Sequence, residues 1–597
     1  MIAAVEERFN WRLLLVCWAI AAAVFYLPIA LHASGGLPFT DNDDLMRMVT
    51  ATDLADGQGW QDRIEHRDNA PIGSLMHWSR LVDAPIAGLL VVLRPVLGNT
   101  AGNIVPLVWP PIMLLGLLAV SLGLTRRLMG PGHQLAALVL PLLSIIVLGE
   151  FSPGRVDHHN VQMILTTALV WATIEGRTRP LAAIAAGLLA ATSLAIGVET
   201  LPFLVGAVLA FSLFWVNDAG AAGNARRFAI AFAVGTLAHL LIASPPGRYF
   251  TPTCDELSAT YVVAAFLAAA AIGAATVAGS GLGKGRRLLL IALLGGLAVA
   301  ITLALFPDCR AGPYGRMDAR AFHLLLADVP EAMPLWTRFL MDPAAGIRFA
   351  SASFAGIAIL AWCCLASRGE RRIDWLVLLL YLGLATLVML MQVRGARLAI
   401  MPAMPAGVWL IARARSAYQR RSGVFTGAGL VASWGLFAGI AQLALPLAIS
   451  ALAVGGPAKA STVPDVADPA ACYLPASYRE LAALPAGNVL APMAIGPAIL
   501  RYTPDAVVAA GYHRNVAGAF DVDDFLNAGE GPARAIAARR ELRYVVACSG
   551  LRQLTPGRAS QPGSFTALNA ANRHWSWLEP ISDPADALQI FKVDPGR

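Results

Sequence analysis

The sequence predicts a polytopic α-helical membrane protein with a small α/β domain at its C-terminal end. Hydrophobic residues make up 57% of its 597 residues, charged residues make up 14%, and the mean hydropathy is +0.61. Soluble proteins carry roughly 25% charged residues. Apolar runs of about 17 to 25 residues, each long enough to cross a bilayer as a helix, recur along most of the chain.

Thirteen apolar segments are predicted to span the membrane and to form a helical part over 1–455. They lie near 13–32, 105–125, 134–150, 160–174, 181–197, 201–216, 228–243, 260–278, 288–306, 348–366, 375–391, 398–412 and 424–452. The first is longer than the apolar part of a signal peptide, which is about 7 to 15 residues. We therefore expect it to remain as an uncleaved span.

Basic residues fall in alternate loops between these segments and predict the orientation of the chain. These loops contain Arg126 and Arg127, Arg177 and Arg179, Arg226 and Arg227, Lys284 with Arg286 and Arg287, Arg368 with Arg371 and Arg372, and Arg413 to Arg421. Cytoplasmic loops are enriched in lysine and arginine, so the N-terminus is predicted to be cytoplasmic. Thirteen crossings then place the C-terminal domain outside. The bias towards arginine and alanine suggests a GC-rich bacterial genome, so we expect a bacterial inner membrane and a periplasmic domain.

The net charge of +7 does not indicate a nucleic-acid partner, because the basic residues lie in these short loops. Two loops on the opposite, external side are long, at 33–104 and 307–347. After about residue 455 a linker rich in glycine, proline and alanine leads into alternating strand and helix signals, which predict a small α/β domain over 456–597.

Four cysteines lie on the predicted external side, where an oxidising compartment permits disulfides. Cys254 and Cys309 fall in external loops, whereas Cys472 and Cys548 fall in the C-terminal domain. Each pair is either a disulfide or two buried thiols.

Acidic residues and histidines gather at the outer ends of two spans. Asp41, Asp43 and Asp44 follow the first span, and Asp157, His158 and His159 follow the third. Carboxylates that converge repel one another unless a cation joins them. Oxygen ligands suit Mg²⁺ or Mn²⁺, and an imidazole shifts the preference towards Mn²⁺ or Zn²⁺. The alternative is a solvated polar cap on each helix end, with Asp41 or Asp43 as an N-cap.

These features resemble the GT-C glycosyltransferases, and within them the catalytic subunit of oligosaccharyltransferase and its single-subunit prokaryotic relatives. In that family an aspartate of the first external loop stands six residues before an arginine, as Asp41 stands before Arg47. The second external loop carries an Asp-x-Asp-like motif that reads Asp-x-His in archaeal members, as Asp157 and His159 do here. The resemblance covers the topology of the whole membrane part and implies a GT-C-like fold.

The resemblance implies a metal held by Asp41, Asp157 and His159, which would stabilise the phosphate of a polyprenyl-linked sugar donor as it leaves. Asp43 or Asp44 would then deprotonate the acceptor or serve as further ligands. The family also uses an arginine of a late external loop for the lipid-linked phosphate.

Further residues at the external surface are candidates for substrate contact. Arg394 and Arg397 lie in a predicted external loop, whereas most basic residues lie in the predicted cytoplasmic loops. A guanidinium can bind a phosphate with two hydrogen bonds. Contact with lipid headgroups is the alternative. Glu199 lies either at membrane depth, where an acid indicates function, or in a plain loop. The other candidates for contact are His158, Arg47, Tyr314 in the fifth external loop, and His513 in "GYHRN".

The segment "NAPIGSLMHWSRLVD" is predicted to form a short amphipathic helix in the membrane interface, with Trp78 and His77 on it. Arg80 and Asp83 are spaced to pair on that helix. The fifth loop contributes an acid to the site in the related enzymes, and the sequence leaves open which acid corresponds.

One departure from the family concerns the acceptor. The Trp-Trp-Asp-Tyr-Gly signature that reads the glycosylation sequon is absent from the sequence. We therefore expect a lipid or glycan acceptor such as a polysaccharide, and a sugar or oligosaccharide donor on a polyprenyl phosphate or diphosphate. The alternatives are a lipid-linked glycan transporter or flippase, and a non-catalytic polysaccharide-export component. A transporter would need charges within its spans, whereas here they lie at the ends.

Overall fold

The computed structural model describes residues 9–32, 39, 41–327, 329–439, 469–548, 561–584 and 586–594. The predicted linker after residue 455 and the second half of the last predicted span lie outside these residues. The helices of the membrane part and its loops are α1 (Trp11–Phe25), α2 (Leu27–His32), α3 (Asn42–Ala55), α4 (Arg80–Leu97), α5 (Ala101–Met129), α6 (Gln134–Leu142), α7 (Ile145–Glu150), α8 (His159–Gly176), α9 (Pro180–Ile196), α10 (Leu201–Asn217), α11 (Ala222–Ala243), α12 (Ala259–Ala278), α13 (Lys284–Leu305), α14 (Ala319–Leu325), α15 (Leu335–Met341), α16 (Pro343–Ala366), α17 (Gly369–Met391), α18 (Gly395–Arg420) and α19 (Val424–Gly435).

A helix occupies the position of each predicted span, which makes the chain a multi-pass helical membrane protein. Among the described residues, eight helical segments are long and apolar enough to cross a bilayer. They are Arg80–Met129, Val198–Asn217, Ala219–Ala243, Ala259–Ala278, Lys284–Leu305, Pro343–Ala366, Gly369–Met391 and Gly395–Arg420. Several other apolar helices are shorter or broken, as α6 and α7 are, so the number of thirteen crossings stays a prediction.

Small residues bring the helices of the bundle close together. A Cβ atom at Gly187 of α9 would lie 2.5 Å from the carbonyl oxygen of Phe228 in α11, and one at Gly235 would lie 2.9 Å from the side chain of Ala191. Without a hydrophobic driving force inside the bilayer, such close backbone approach is a main source of helix association. The alanine-rich helices therefore pack tightly, and the polar groups of the site lie at their ends.

The first external loop differs from its prediction, because the segment from Asn69 to Ser79 is not an interfacial helix. The loop contains the hairpin of β1 (Ile64–Glu65) and β2 (Ser74–Leu75), and helix α4 begins only at Arg80. Asn69 and Gly73 have φ angles of +63° and +91°, which a right-handed helix excludes. The predicted pair of Arg80 with Asp83 is confirmed, at 3.3 Å.

The C-terminal region is a small α/β fold with one five-stranded mixed sheet. Its helices are α20 (Arg479–Ala483), α21 (Gly496–Tyr502), α22 (Val516–Asn527), α23 (Glu530–Arg539) and α24 (Phe565–Ala570), and its strands are β3 (Asn488–Leu490), β4 (Ala506–Val507), β5 (Leu542–Cys548), β6 (Leu578–Pro580) and β7 (Leu588–Val593). The strand order is β4-β3-β5-β7-β6, with β3 parallel to β4 and β5 and with β7 antiparallel to both of its neighbours. Strands β3, β4 and β5 lie in the apolar runs "NVLAPMAI", "DAVVAAGY" and "LRYVVACSG", and helix α23 lies in "EGPARAIAAR", so the predicted small α/β region is confirmed.

Both cysteine pairs form disulfides. Cys254 is bonded to Cys309 with a Cα–Cα distance of 5.4 Å, which joins the fourth external loop to the start of the fifth. Cys472 is bonded to Cys548 with a Cα–Cα distance of 6.0 Å, at the end of β5.

The C-terminal domain docks on the first external loop. The backbone N–H of Val507 donates to the carbonyl of Arg67 across 2.7 Å, and the N–H of Ala70 donates back to Val507 across 3.0 Å. The Asp68 carboxylate accepts from the Ala510 N–H and the Asn515 amide, each at 3.0 Å. One hydrophobic cluster joins α3, α4 and the loop to one face of the sheet. This docking holds the "GYHRN" segment over the ends of the membrane helices.

Candidate active site

The two predicted acidic clusters meet at the start of α3 and the loop before α8. Asp44 Oδ1 accepts hydrogen bonds from the backbone N–H groups of Val156 at 2.8 Å and Asp157 at 2.9 Å. Arg155 Nη1 lies 2.7 Å from Asp41 Oδ2 and 2.8 Å from Asp44 Oδ2. The predicted convergence of the two loops is confirmed, and a guanidinium supplies part of the positive charge that it requires.

Arg155 is a residue that the sequence reasoning missed, although it lies two residues before Asp157 in "GRVDHHN". Its second nitrogen, Nη2, lies 3.0 Å from Glu150 Oε2, so one buried arginine joins three acids. Asp41 also accepts from the backbone N–H of Asp43 across 3.0 Å and is the N-cap of α3. The helix cap considered as an alternative is therefore present within the cluster.

Asp157, His158 and His159 form a group that can hold a metal ion. One ligand atom from each lies within 4.8 Å of the others. His158 Nδ1 is 2.6 Å from Asp157 Oδ1, and His159 Nε2 is 3.3 Å from Asp157 Oδ2. Asp157 Oδ2 is buried and has no hydrogen-bond partner among the described residues. An unsatisfied carboxylate oxygen beside two imidazoles fits a divalent cation of the Mn²⁺ or Zn²⁺ type.

The predicted metal ligands are thus only partly brought together. Asp157 and His159 belong to the group, and His158, predicted as a substrate contact, joins them. Asp41 lines a cavity together with His158 and His159, but its carboxylate forms an ion pair with Arg155 and does not contact this group.

Burial and neighbouring charges raise the pKa values of Asp43, Asp44 and His158 and lower that of Asp157. Burial, followed by the charges of Asp157 and Asp41, raises the pKa of Asp43 well above its usual value. Burial raises the pKa of Asp44 to about 7 although Arg155 opposes it. Burial disfavours the imidazolium of His158, but the carboxylates of Asp157 and Glu199 outweigh it and raise its pKa to about 10. For Asp157, burial is outweighed by the charges of His158 and His159, which hold its pKa well below the usual range. His158 and Asp157 therefore form an ion pair at neutral pH.

Arg397, in the first turn of α18, contacts both the histidine group and two glutamates. Its Nη1 lies 2.7 Å from His159 Nε2 and its Nε lies 2.5 Å from Glu150 Oε1. Its Nη2 is bonded to Glu331 of the fifth external loop. The carbonyl of Glu331 accepts from the backbone N–H of Arg394 across 2.9 Å. Glu331 is therefore an acid that the fifth loop brings to the site, which the sequence left open.

One cavity of about 740 Å³ is shared by five external loops and the C-terminal domain. The predicted site residues on its wall are Asp41, Asp43, His158, His159, Glu199, Tyr314, Arg394 and His513. A smaller cavity of about 160 Å³ beside it includes Arg397 and Gln162, whose amide donates to Glu199 across 2.7 Å. Glu199 is thus a cavity acid and not a plain loop acid.

Arg47 and Asp44 lie behind this wall. Arg47 is 1% exposed; its guanidinium lies 2.7 Å from Asp83 Oδ1 and 3.3 Å from Asp157 Oδ1, and its Cζ lies 4.1 Å from the centroid of the Trp78 ring. Arg47 can therefore orient Asp157, but it does not face the cavity as a substrate contact would. Asp44 is 1% exposed and is occupied by Arg155 and two backbone N–H groups.

The C-terminal domain places aromatic side chains over the two acidic loops. The Tyr512 hydroxyl donates to Asp43 Oδ1 across 3.2 Å, and its ring meets Trp78 edge-on at 5.3 Å. The His513 ring lies 4.4 Å from that of His77 and 5.0 Å from that of Tyr314, where burial raises the pKa of the Tyr314 hydroxyl to about 12. Tyr512 was missed from the sequence, although the polar and aromatic "GYHRN" after a strand was a signal for it.

A charged contact fastens this segment to the fourth external loop. His513 Nε2 lies 2.7 Å from Asp255 Oδ2, and Arg514 Nη2 lies 2.9 Å from Asp255 Oδ1. Asp255 is adjacent to Cys254, so the disulfide to Cys309 links the fifth loop to the same contact.

The fold is similar to that of solved oligosaccharyltransferases. The archaeal oligosaccharyltransferase AglB from Archaeoglobus fulgidus, in complex with an inhibitory peptide and a dolichol-phosphate, superposes with a TM-score of 0.63 and 17% identity over 91% of this chain and 70% of that chain. The Archaeoglobus fulgidus enzyme in complex with Zn and sulfate superposes with a TM-score of 0.61 and 15% identity over 90% and 68% of the two chains. No family model and no curated protein matches the sequence. The chain therefore has a GT-C, oligosaccharyltransferase-like fold.

Proposed function

We propose that the chain is a membrane glycosyltransferase that moves a sugar or oligosaccharide from a polyprenyl-phosphate or polyprenyl-diphosphate donor to a lipid or polysaccharide on the periplasmic side. The observation that carries this proposal is that Arg394 and Arg397, a group that fits a metal ion and the Asp43 carboxylate gather around two adjoining cavities. The similarity to a solved enzyme in complex with a dolichol-phosphate supports a lipid-linked donor.

The donor phosphate would be bound by Arg394 and Arg397, because a guanidinium matches two phosphate oxygens at once. Both lie at the beginning of α18, where the outer end of the bundle meets the cavity. A divalent ion held by Asp157 and His159, and by His158 once it has lost its proton, would supply charge stabilisation to the leaving phosphate. The similar Archaeoglobus fulgidus enzyme in complex with Zn supports such a site, with Mg²⁺ or Mn²⁺ as the other candidates.

The acceptor hydroxyl would be deprotonated by Asp43 rather than by Asp44. Asp43 lies on the cavity wall and is held by the Tyr512 hydroxyl, whereas Asp44 is enclosed by its own hydrogen bonds. A general base has to be within hydrogen-bond reach of the proton that it removes. The absence of the sequon-reading signature supports an acceptor other than asparagine in a protein.

The test is sugar transfer by the purified protein from a polyprenyl-phosphate sugar. We expect loss of the donor lipid that stops when a chelator removes divalent ions and returns with Mn²⁺. Asp157→Ala should abolish transfer while the protein elutes and unfolds as the unchanged protein does. The matched control is Asp308→Ala, which removes an exposed acid of the fifth loop and should transfer normally.

Full activity of Asp157→Ala would contradict the proposed site. Movement of an intact donor lipid across vesicles, without cleavage and with equal efficiency in the Asp157→Ala variant, would instead support the transporter alternative.

A further inference from the structure

A second polar cavity lies at the opposite end of the helix bundle from the candidate active site. Its volume is about 440 Å³, and it is formed where the ends of α5, α16, α17 and α18 meet. Its polar and charged wall residues are His133, Ser367, Arg371, Arg413, Ser416 and Arg420, and its apolar ones include Trp375 and Trp409. None of these residues belongs to the site described above.

The direction of α17 and α18 places this cavity at the other membrane boundary. Arg397 lies in the first turn of α18, in the candidate active site. Arg413 lies about 24 Å further along the axis of this helix, at about 1.5 Å per residue. Helix α17 runs the other way, with Arg371 in its first turn and its last residue, Met391, next to the active-site loop. A separation close to the hydrocarbon thickness of about 30 Å puts the second cavity among the lipid headgroups of the far leaflet.

The three arginines of this cavity carry charge that nothing nearby neutralises. Within the part of the chain that the structure describes, Arg371, Arg413 and Arg420 form no ion pair. The neighbouring arginines differ, because Arg127 lies 2.9 Å and Arg177 lies 3.8 Å from the Asp374 carboxylate. Glu370, beside Arg371 in the sequence, lies 3.5 Å from Arg177 as well. The acids at this end of α17 are thus paired with arginines outside the cavity wall, and the cavity keeps a net positive charge.

The cavity also has an apolar side, which lies one helical turn closer to the membrane centre than its arginines. Trp375 follows Arg371 by one helical turn towards the membrane centre, and Trp409 lies one turn on that same side of Arg413. The Arg413 Cζ is 5.2 Å from the centroid of the Trp409 ring. Arginines at headgroup depth with tryptophans just below them match an anion that is attached to acyl chains.

We infer that this cavity binds the phosphate of an anionic diacyl phospholipid, such as phosphatidylglycerol. The phosphate is held between the guanidiniums of Arg371, Arg413 and Arg420, and the upper part of an acyl chain lies along Trp375 and Trp409. The bound lipid ties α16, α17 and α18 together at the boundary opposite the catalytic groups. The inference is independent of the proposed sugar transfer, because it concerns lipid binding alone.

The experiment titrates the purified full chain in neutral detergent with phosphatidylglycerol and, separately, with phosphatidylcholine, and counts bound lipids by native mass spectrometry. We expect retention of phosphatidylglycerol and not of phosphatidylcholine. The triple variant Arg371→Ala, Arg413→Ala, Arg420→Ala should bind roughly a hundredfold more weakly, because each guanidinium near an anionic lipid contributes about a fivefold gain.

The matched control removes three exposed arginines of the same face, in the variant Arg368→Ala, Arg372→Ala, Arg421→Ala. It loses the same charge without touching the cavity wall, so its affinity should change less than about threefold if the effect is local and not general surface attraction. An equal loss in both triple variants would overturn the inference. If the first triple variant fails to fold, Ser416→Trp fills the cavity with all arginines retained and should lower the affinity by itself.

Two further arms distinguish the sources of the phosphate. Inorganic phosphate at the same concentration should not displace the lipid, because it lacks the acyl chains; displacement would overturn the inference. Preferential binding of a polyprenyl phosphate at this cavity, lost in the Arg371, Arg413, Arg420 triple variant, would likewise overturn the assignment to a diacyl phospholipid.

Discussion

Arg397 donates a hydrogen bond to Nε2 of His159 across 2.7 Å. The lone pair that receives this hydrogen bond is the one that His159 would offer to a metal ion. Arg397 is also one of the two arginines proposed to hold the donor phosphate. Metal binding and the resting position of Arg397 therefore compete for one nitrogen atom, and a phosphate that draws Arg397 away would release His159 for the ion.

Arg397→Ala should change the affinities for donor and metal in opposite directions. We expect donor binding to weaken by about tenfold or more, since charge-assisted hydrogen bonds to the phosphate are lost. Binding of Mn²⁺ should become tighter, because His159 Nε2 no longer accepts from the guanidinium. Isothermal titration with Mn²⁺ and the donor KM measure the two effects. A parallel fall of both affinities would contradict the competition, and Arg310→Ala in the exposed fifth loop is the control.

Arg155→Ala should destabilise the protein strongly. It leaves the buried acids Asp44 and Glu150 without their common partner, and breaking a buried ion pair costs about 3–5 kcal/mol. Arg179→Ala removes an exposed arginine that pairs with Glu175, and should cost no more than about 1 kcal/mol. Free energies of unfolding from denaturant titration in detergent give both values.

A second change checks the cause of the Arg155 effect. Asp44→Asn in the Arg155→Ala background should recover part of the stability, because it removes a buried charge that Arg155 neutralises in the unchanged protein. No recovery would indicate that Arg155 contributes through packing and not through its charge.

Tyr512→Phe should lower the turnover of sugar transfer while the domain stays docked. The ring still packs on Trp78, but the hydroxyl that holds Asp43 is lost, and one hydrogen bond at this position corresponds to about a tenfold effect. The control is Tyr544→Phe, which removes a hydroxyl that donates to Pro485 far from the cavity. An unchanged kcat in Tyr512→Phe, measured with saturating donor, would argue against a positioning role for this hydroxyl.

The contact of Asp255 with the C-terminal domain should make stability depend on pH on the acid side. Burial opposes the charge of Asp255, but hydrogen bonds from His513 and Arg514 outweigh it and lower its pKa below the ordinary 3.8. A carboxylate with a lowered pKa stabilises the folded state above its unfolded pKa, and this contribution is lost as the pH falls through the folded pKa. The difference in unfolding free energy between the unchanged protein and Asp255→Asn should therefore be present above about pH 5 and shrink below about pH 4. A difference that grows on acidification would contradict this sign.

The sequence predicted well which side chains of the site share one surface of the helix bundle. The pattern of basic loops put Asp41 and Asp157 at one surface, and the structure joins their loops through Arg155 and Asp44. The same reasoning put Arg394, Tyr314 and His513 on that surface, and all three reach the cavity wall. Charge and apolar length are properties of segments, so they predict which side chains share a surface.

The orientation of individual side chains needed the three-dimensional structure. Arg47 fits the spacing of the family motif, yet its guanidinium points away from the cavity because Asp83 and Trp78 enclose it. The prediction of an interfacial helix was wrong because Asn69 and Gly73 have positive φ angles. The periodicity of apolar residues in the sequence does not reveal such angles. Glu331 was one of several acids in a long loop, and only its contact with Arg397 distinguishes it.

The docking of the C-terminal domain on Asp68 has a consequence for biosynthesis. Asp68 and its partner Ala510 are separated by 442 residues, so at about 5–20 residues per second the first external loop emerges roughly 20 to 90 s before the strand that completes it. During that interval the apolar side chains that later join the sheet have no partner from the same chain. The loop therefore waits for its partner while 442 further residues are synthesised, and it is the segment for which a chaperone would matter most.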